Sequence, residues 1–306
     1  MNNVIPIVLF VYRRPIHTKQ TVEHLKKNKL ASESDLFIFS EYPKTPKFEN
    51  EVNLVREYIK TITGFKTITI IERTSFLGLA NSVISGVNSV LKNYDKVIVL
   101  EDDITTSPYF LEYMNEALTK YENEKQIYSI TGFCYPSNLL KIYDGYDKDV
   151  CLLPRASSWG WGTWKGRWMN VDWEINDFNE FKKNQKLQKK YNETGGDKSR
   201  MLIRQMSGEI DSWAIRWDYA HFKANAYCVF PIQSLINNVG LDNSASHTKN
   251  LKSHSNILND FKPQLPNELE IDTKIVEAYK KIYKRGGYTF KIKNSLKHFK
   301  EVFFRK

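Results

Sequence analysis

Cysteine is scarce. The 306 residues hold three, Cys134, Cys151 and Cys228, widely spaced and with no C-x-x-C pair. That pattern excludes a disulfide framework and a thiolate zinc site, and reads as reduced core residues in a reducing compartment. Long apolar runs are also missing: no stretch approaches the roughly 18 residues needed to span a bilayer. Residues 5–12 are apolar apart from Pro6, but no basic residue precedes them and Arg13-Arg14-Pro15 follows at once. They are expected to form a first strand, not a targeting segment. Internal repeats and low-complexity segments are absent. The net charge of +10 is not spread along the chain. Residues 280–306 hold ten of the 45 Lys and Arg and one of the 35 acids, a balance of +9, so the other 279 residues stand near +1. A nucleic-acid binder usually spreads positive charge over its folded face, and no nucleic-acid partner is expected.

The hydrophobic fraction of 41% suits a globular chain of about one to two domains. Aromatic residues reach 13%, with seven Trp; these line sugar or base sites, or simply fill cores. The most informative stretch is Tyr94-Asp95-Lys96-Val97-Ile98-Val99-Leu100-Glu101-Asp102-Asp103-Ile104, where four apolar residues run into three carboxylates. The β-branched run suits a strand covered on both faces. The acids fall where that strand ends, and open α/β sheets bind ligands beyond the carboxyl ends of their strands. Three adjacent carboxylates repel one another. Either solvent around an acidic loop or a hard cation, Mn2+ or Mg2+, compensates them.

Hydrophobic periodicity places the neighbouring elements. Strands are expected at 4–12, 35–40, 66–72, 97–100 and 126–131, and helices at 15–27, 48–62 and 78–91. Ser107-Pro108 reads as an N-cap followed by Pro at the first helical position. Four strands alternating with helices over the first 105 residues argue for a parallel, doubly wound sheet. Past residue 150 come Trp-rich turns, helices near 177–191 and 209–224, a strand at 227–230, a polar stretch over 241–268 and a helix at 270–284. In the tail, Ile292, Leu296, Phe299 and Phe303 share one helical face among lysines. That helix either meets an anionic membrane surface or docks on the body.

Several polar residues sit at the expected strand ends. Arg13 and Arg14 follow the first strand, and either is a surface arginine or a clamp for a diphosphate. Glu41 follows the second, as a surface acid or an acceptor for a uracil N–H. Gly78 opens a helix after Arg73-Thr74-Ser75, where backbone N–H groups can face an anion. Asp211 begins a helix, as a dipole-favoured acid or as a general base; Glu209 and Asp218 compete for that role, Asp218 being seven positions on and so on the same face. Trp159, Trp161 and Trp164 either stack on a sugar or brace a Gly-rich turn.

The blocks 8–17 (VLFVYRRPIH), 39–43 (FSEYP), 77–81 (LGLAN), 100–103 (LEDD), 107–110 (SPYF) and 158–164 (SWGWGTW) resemble, in this order, the GT-A glycosyltransferases. They are most similar to bacterial family-2-like members related to N-acetylglucosaminyltransferase I. The resemblance spans about 4–247 and implies a doubly wound, mixed but mostly parallel sheet with flanking helices. It implies that Glu101-Asp102-Asp103 is the D-x-D-type motif: Asp103 on Mn2+ (or Mg2+), Asp102 on the ribose, Glu101 on the donor sugar. Arg14, Glu41, Gly78 and Asn81 would contact the nucleotide-sugar, with Glu41 where the family usually has Asp. Asp211 would be the base, Trp161 a sugar or acceptor contact, and His247, in the 240–247 loop, a phosphate or metal contact.

The expected organisation is a glycosyltransferase domain over 1–268, with a nucleotide-sugar half at 1–135 and an acceptor half at 136–268. A basic amphipathic tail would occupy 269–306. The expected activity is metal-dependent, inverting transfer of GlcNAc or another hexose from a UDP-linked donor to a glycan or lipid-linked acceptor, in surface polysaccharide synthesis. The location would be cytoplasmic, on the inner face of the membrane through 285–306. Competing readings are a carboxylate-metal nucleotidyltransferase or hydrolase, and a non-catalytic nucleotide-sugar-binding protein.

Overall fold

A computed structural model describes residues 4–240, 258 and 260–283. The chain opens with strand β1 (Ile7–Val11), whose five residues are all buried. They alternate between two cores: Ile7, Leu9 and Val11 join one, Val8 and Phe10 the other. A strand buried on both faces must be covered by helices on both sides. Helices α1 (Pro15–Lys26) and α2 (Glu49–Ile59) supply Val22, Leu25, Val55 and Ile59 to the first core, and α3 (Leu79–Leu91) supplies Ala80, Val83 and Val87 to the second. Strands β2 (Asp35–Ser40), β3 (Thr67–Glu72) and β4 (Lys96–Glu101) complete this half, in the order β3-β2-β1-β4, all parallel. The chain runs outward from β1 to β3 and then returns to β1's other side. The switch point therefore lies between β1 and β4, where ligands of such sheets bind.

The second half extends the same sheet. After the short β5 (Ile104–Thr106) and α4 (Phe110–Lys120) come β6 (Ile127–Thr131), β7 (Val150–Leu153) and β8 (Trp161–Trp164). Helices α5 (Lys165–Trp168), α6 (Phe178–Lys183), α7 (Gln185–Tyr191), α8 (Lys198–Met206) and α9 (Trp213–Lys223) lead to β9 (Tyr227–Pro231) and β10 (Ile236–Asn238). Among the described residues the sheet has eight strands, β3-β2-β1-β4-β8-β6-β9-β7, mostly parallel with β8 and β7 antiparallel; β10 and β5 form a separate pair. The chain is thus an α/β fold with a mixed sheet flanked by helices.

Several sequence expectations shift. The Trp-rich "turn" is the central strand β8. Glycine disfavours strands, but a Cβ on Gly162 would lie 2.8 Å from the Val97 carbonyl oxygen and 2.8 Å from Leu118, so the packing requires it. The 177–191 helix is two helices, because the Asn184 side chain accepts from Leu187 N and starts a new one. Helix α9 starts at Trp213, capped by Ser212, which accepts from Ile215 N. Ser107 does not cap α4. Its amide donates to Leu235 O, and Tyr109 takes the cap position.

Past 269 the described chain runs to Tyr283. Residues 273–283 are helical, and Ile275, Val276 and Tyr279 are buried in the main core. This helix is part of the body because its apolar face is covered there. The amphipathic segment 285–306 lies outside the described residues, as do His247 and the rest of the 241–247 loop. Among the described residues no helix is long and apolar enough to cross a membrane.

Candidate active site

The acid loop sits at the switch point. Glu101 ends β4, and Asp102 and Asp103 make the turn into β5. Asp102 accepts from Tyr12 N at 3.2 Å through Oδ2, and its carbonyl accepts from Thr21 Oγ1 at 2.9 Å, so α1 and the end of β1 hold the loop from one side. Arg14 Nη1 lies 2.7 Å from Asp103 Oδ2 and 4.0 Å from Asp102 Oδ1. From the other side, the Trp213 side chain favours the ionised form of Glu101. Burial, then the charges of Asp103 and Asp102, push Glu101 above the ordinary carboxylate range. Burial and Asp103 push Asp102 the same way, against Arg14. The local excess of negative charge suits a cation. Among the described residues no group of three His, Cys, Asp or Glu is arranged as a metal cage. Of the three carboxylates, Asp102 accepts from Tyr12 N and Asp103 pairs with Arg14.

Beside the loop lies an aromatic shelf. Glu41, immediately after β2, is 6% exposed. Its Oε1 accepts from Tyr42 N at 2.8 Å and Leu77 N at 3.2 Å, while Oε2 is buried without a partner. A buried carboxylate oxygen without a donor is costly, and a ligand N–H would satisfy it. The Tyr12 and Phe76 rings are 6.1 Å apart, and Phe76 is exposed. The sequence reading missed both. Their signal was an aromatic residue directly after a first strand and another in the loop before α3. Tyr12 joins the shelf to the acid loop, its ring on Phe76 and its amide on Asp102.

Asp211 arrives from the other half. It is exposed, and its Oδ2 accepts from Ala80 N at 3.3 Å, at the start of α3. Gly78 has φ +79°, and a Cβ there would lie 2.7 Å from Asp211 Oδ2; glycine allows both the backbone and the approach. Asn81 donates to Leu77 O and so closes its own loop. Residues 211 and 212 thus join two elements in turn: Asp211 touches α3 and Ser212 caps α9.

Other candidates fall away. Trp161 is fully buried, stacked on Trp213 at 4.9 Å and Trp168 at 5.2 Å. It lies on a central strand covered on both faces, so it braces the core and cannot stack on a sugar. Trp164 is likewise buried, donating from Nε1 to Leu118 O. Asp218 is 6% exposed and held by Lys198 Nζ at 2.7 Å, Tyr191 OH at 2.9 Å and Ala156 N at 2.9 Å. Asp211 precedes α9, so the shared helical face does not exist. Glu209 is exposed and pairs with Arg204 at 3.1 Å.

The Asp218 pair is structural, and this is testable. Burial alone would raise the Asp218 carboxyl, but Lys198 and Arg155 hold it below the ordinary value. Lys198→Met strands a buried carboxylate and should cost about 3–5 kcal/mol in denaturant unfolding at neutral pH. A depressed carboxyl contributes stability above its unfolded pKa and loses it as pH falls through the folded one. The gap between wild type and variant should therefore narrow as pH falls through about 4. An unchanged unfolding midpoint at pH 7 would refute the structural role.

No model of a known protein family matches the chain, and no curated protein matches it. Among solved structures, a mannosyltransferase from Pyrobaculum calidifontis in complex with GDP-Man and Mn2+ resembles it at TM-score 0.32 and 12% identity, over 42% of this chain and 34% of that one. A protein from Desulfovibrio desulfuricans G20, described as a nucleotide-diphospho-sugar transferase, does so at TM-score 0.29 and 14% identity, over 55% of this chain and 68% of that one. The chain therefore spans about a third of the mannosyltransferase. Likeness at this level assigns no activity; the fold described here rests on the strand order and pairings themselves.

Proposed function

We propose that this protein transfers a sugar from a nucleoside-diphosphate donor to an acceptor hydroxyl, with a divalent cation at Asp103. The observation that carries the reading is the joint placement, at one switch point, of an acid loop, a guanidinium, and a shelf with an unpartnered buried carboxylate oxygen. Each part suits a different part of a nucleotide-sugar. Glu41 Oε2 accepts one ring N–H of the base, which suits uracil, beside the exposed Phe76 ring. Arg14 offers a planar fork to phosphate oxygens. Asp102 and Glu101 face the ribose and the sugar. A divalent ion, when bound, neutralises the charge that develops on the departing diphosphate.

On the acceptor side Asp211 takes the proton of the attacking hydroxyl. The oxygen bonds to the anomeric carbon from the face opposite the leaving diphosphate, so the anomer inverts. The proposed donor sugar is GlcNAc or another hexose, and the proposed acceptor a glycan or lipid-linked glycan of a surface polysaccharide. The location proposed is cytoplasmic, on the inner membrane face, with 285–306 as the contact. The basic composition of that segment supports this.

A thermal-shift screen of UDP-, GDP- and TDP-sugars with and without Mn2+ tests the reading. UDP-sugars with Mn2+ should stabilise the chain by about 2.7 kcal/mol at a hundredfold excess over Kd. No shift with any nucleotide, in either condition, would sink it.

A further inference from the structure

Arg14 and Asp103 are given different partners in the proposed reaction, a phosphate and a cation. In the structure they hold each other, at 2.7 Å, with each side chain 16% exposed. The contact is built from the backbone on two sides. Arg14 O accepts from both Thr18 N and Thr18 Oγ1, at 2.9 Å each, which fixes Arg14 at the head of α1. On the other side β10 pairs with β5, Val239 N donates to Asp103 O at 2.9 Å, and Gly240 N donates to Asn238 Oδ1 at 2.9 Å. These bonds lay Gly240 directly on the ion pair. A Cβ there would fall 2.6 Å from Arg14 Nη1 and closer still to Asp103 Oδ2. A side chain at 240 would press on the pair and force it to shift.

We infer that Arg14 is a competitor for the cation as well as a ligand for the diphosphate. A divalent ion on Asp103 Oδ2 would stand within a few ångström of the guanidinium, and two positive charges that close repel in a partly buried site. Asp103 Oδ2 therefore faces either the guanidinium or the ion. A diphosphate offers Arg14 two oxygens in the geometry of its fork. By drawing the guanidinium away it releases Asp103. Metal and nucleotide then bind with positive coupling, and each raises the other's affinity by the same factor. The device disfavours the cation until the donor arrives. This inference rests on the proposed role of Asp103 as the cation's ligand.

The test is Mn2+ uptake by the full chain, read by the electron paramagnetic resonance signal of free Mn2+, with and without UDP. Association of Mn2+ with UDP in buffer is measured separately and subtracted. In the wild type UDP should strengthen Mn2+ binding about tenfold or more, within the usual range of coupling between sites. Arg14→Gln should bind Mn2+ alone about tenfold tighter than the wild type, and its coupling to UDP should be weaker than the wild type's, with the direct attraction between ion and diphosphate remaining. Arg13→Gln removes the same charge one residue away, where the guanidinium lies 4.3 Å over the Phe48 ring; it should stay within about threefold of the wild type.

If Arg14→Gln is no tighter, or Arg13→Gln tightens equally, the competition is refuted and the general field explains the site. If the wild type takes up Mn2+ neither alone nor with UDP, the metal reading falls and the competition with it. If Arg14→Gln does not fold, the wild type still decides: equal Mn2+ affinity with and without UDP overturns the proposal.

Discussion

Asp211→Asn lowers turnover by about 10²–10⁴-fold, the usual value of one general base, and leaves UDP affinity close to the wild-type value. Asparagine keeps an oxygen for Ala80 N, so the start of α3 and the Gly78 turn should persist. What it loses is the capacity to take a proton from an acceptor hydroxyl. The split between kcat and donor binding is what separates catalysis from architecture. If Asp211 only tied α9's entry to α3, the asparagine variant would retain its rate. Loss of UDP binding instead would move Asp211 to the donor side. The rival acids are already committed, Asp218 to Lys198 and Glu209 to Arg204.

Asp103→Asn should reduce transfer by on the order of 10³-fold or more, since Lewis-acid stabilisation supplies several kcal/mol and each 1.36 kcal/mol is tenfold in rate. Mn2+ uptake should fall with it, and raising Mn2+ should not restore the rate. Unfolding should change little, because asparagine can still accept from Arg14 and the Val239 bond uses the Asp103 backbone. Full turnover of this variant with every nucleotide-sugar would end the metal reading. A loss of rate with Mn2+ uptake intact would point to Asp102 or Glu101 as the ligand.

These expectations draw unequally on sequence and structure. The β1–β4 half was legible because its signals are local. Buried runs such as IVLFV mark strands, Pro15 marks a helix start, and Val52, Val55 and Ile59 recur at helical spacing. The acids after β4 and the arginines after β1 could be placed at strand ends for the same reason. Tyr12 and Phe76 were overlooked because an aromatic residue at a strand end reads equally well as core. For Trp161 the sequence leaves two readings, a ring that stacks on a sugar or a brace for a Gly-rich turn, and its burial against Trp213 and Trp168 favours the brace.

Sequence by itself determined the alternation of strands and helices in the first half, the basic concentration in 280–306, and the three carboxylates that end β4. Each depends on spacing or composition within a few residues. The tertiary structure decided which of those groups meet. It brought Asp211 to Gly78, more than a hundred positions away, and buried Asp218 against Lys198. It also set Arg14 on Asp103 under Gly240. Whether a carboxylate is a base, a ligand or half of a buried pair depends on the charges and backbone amides within a few ångström of it. Those partners come from distant segments, and only the fold brings them together.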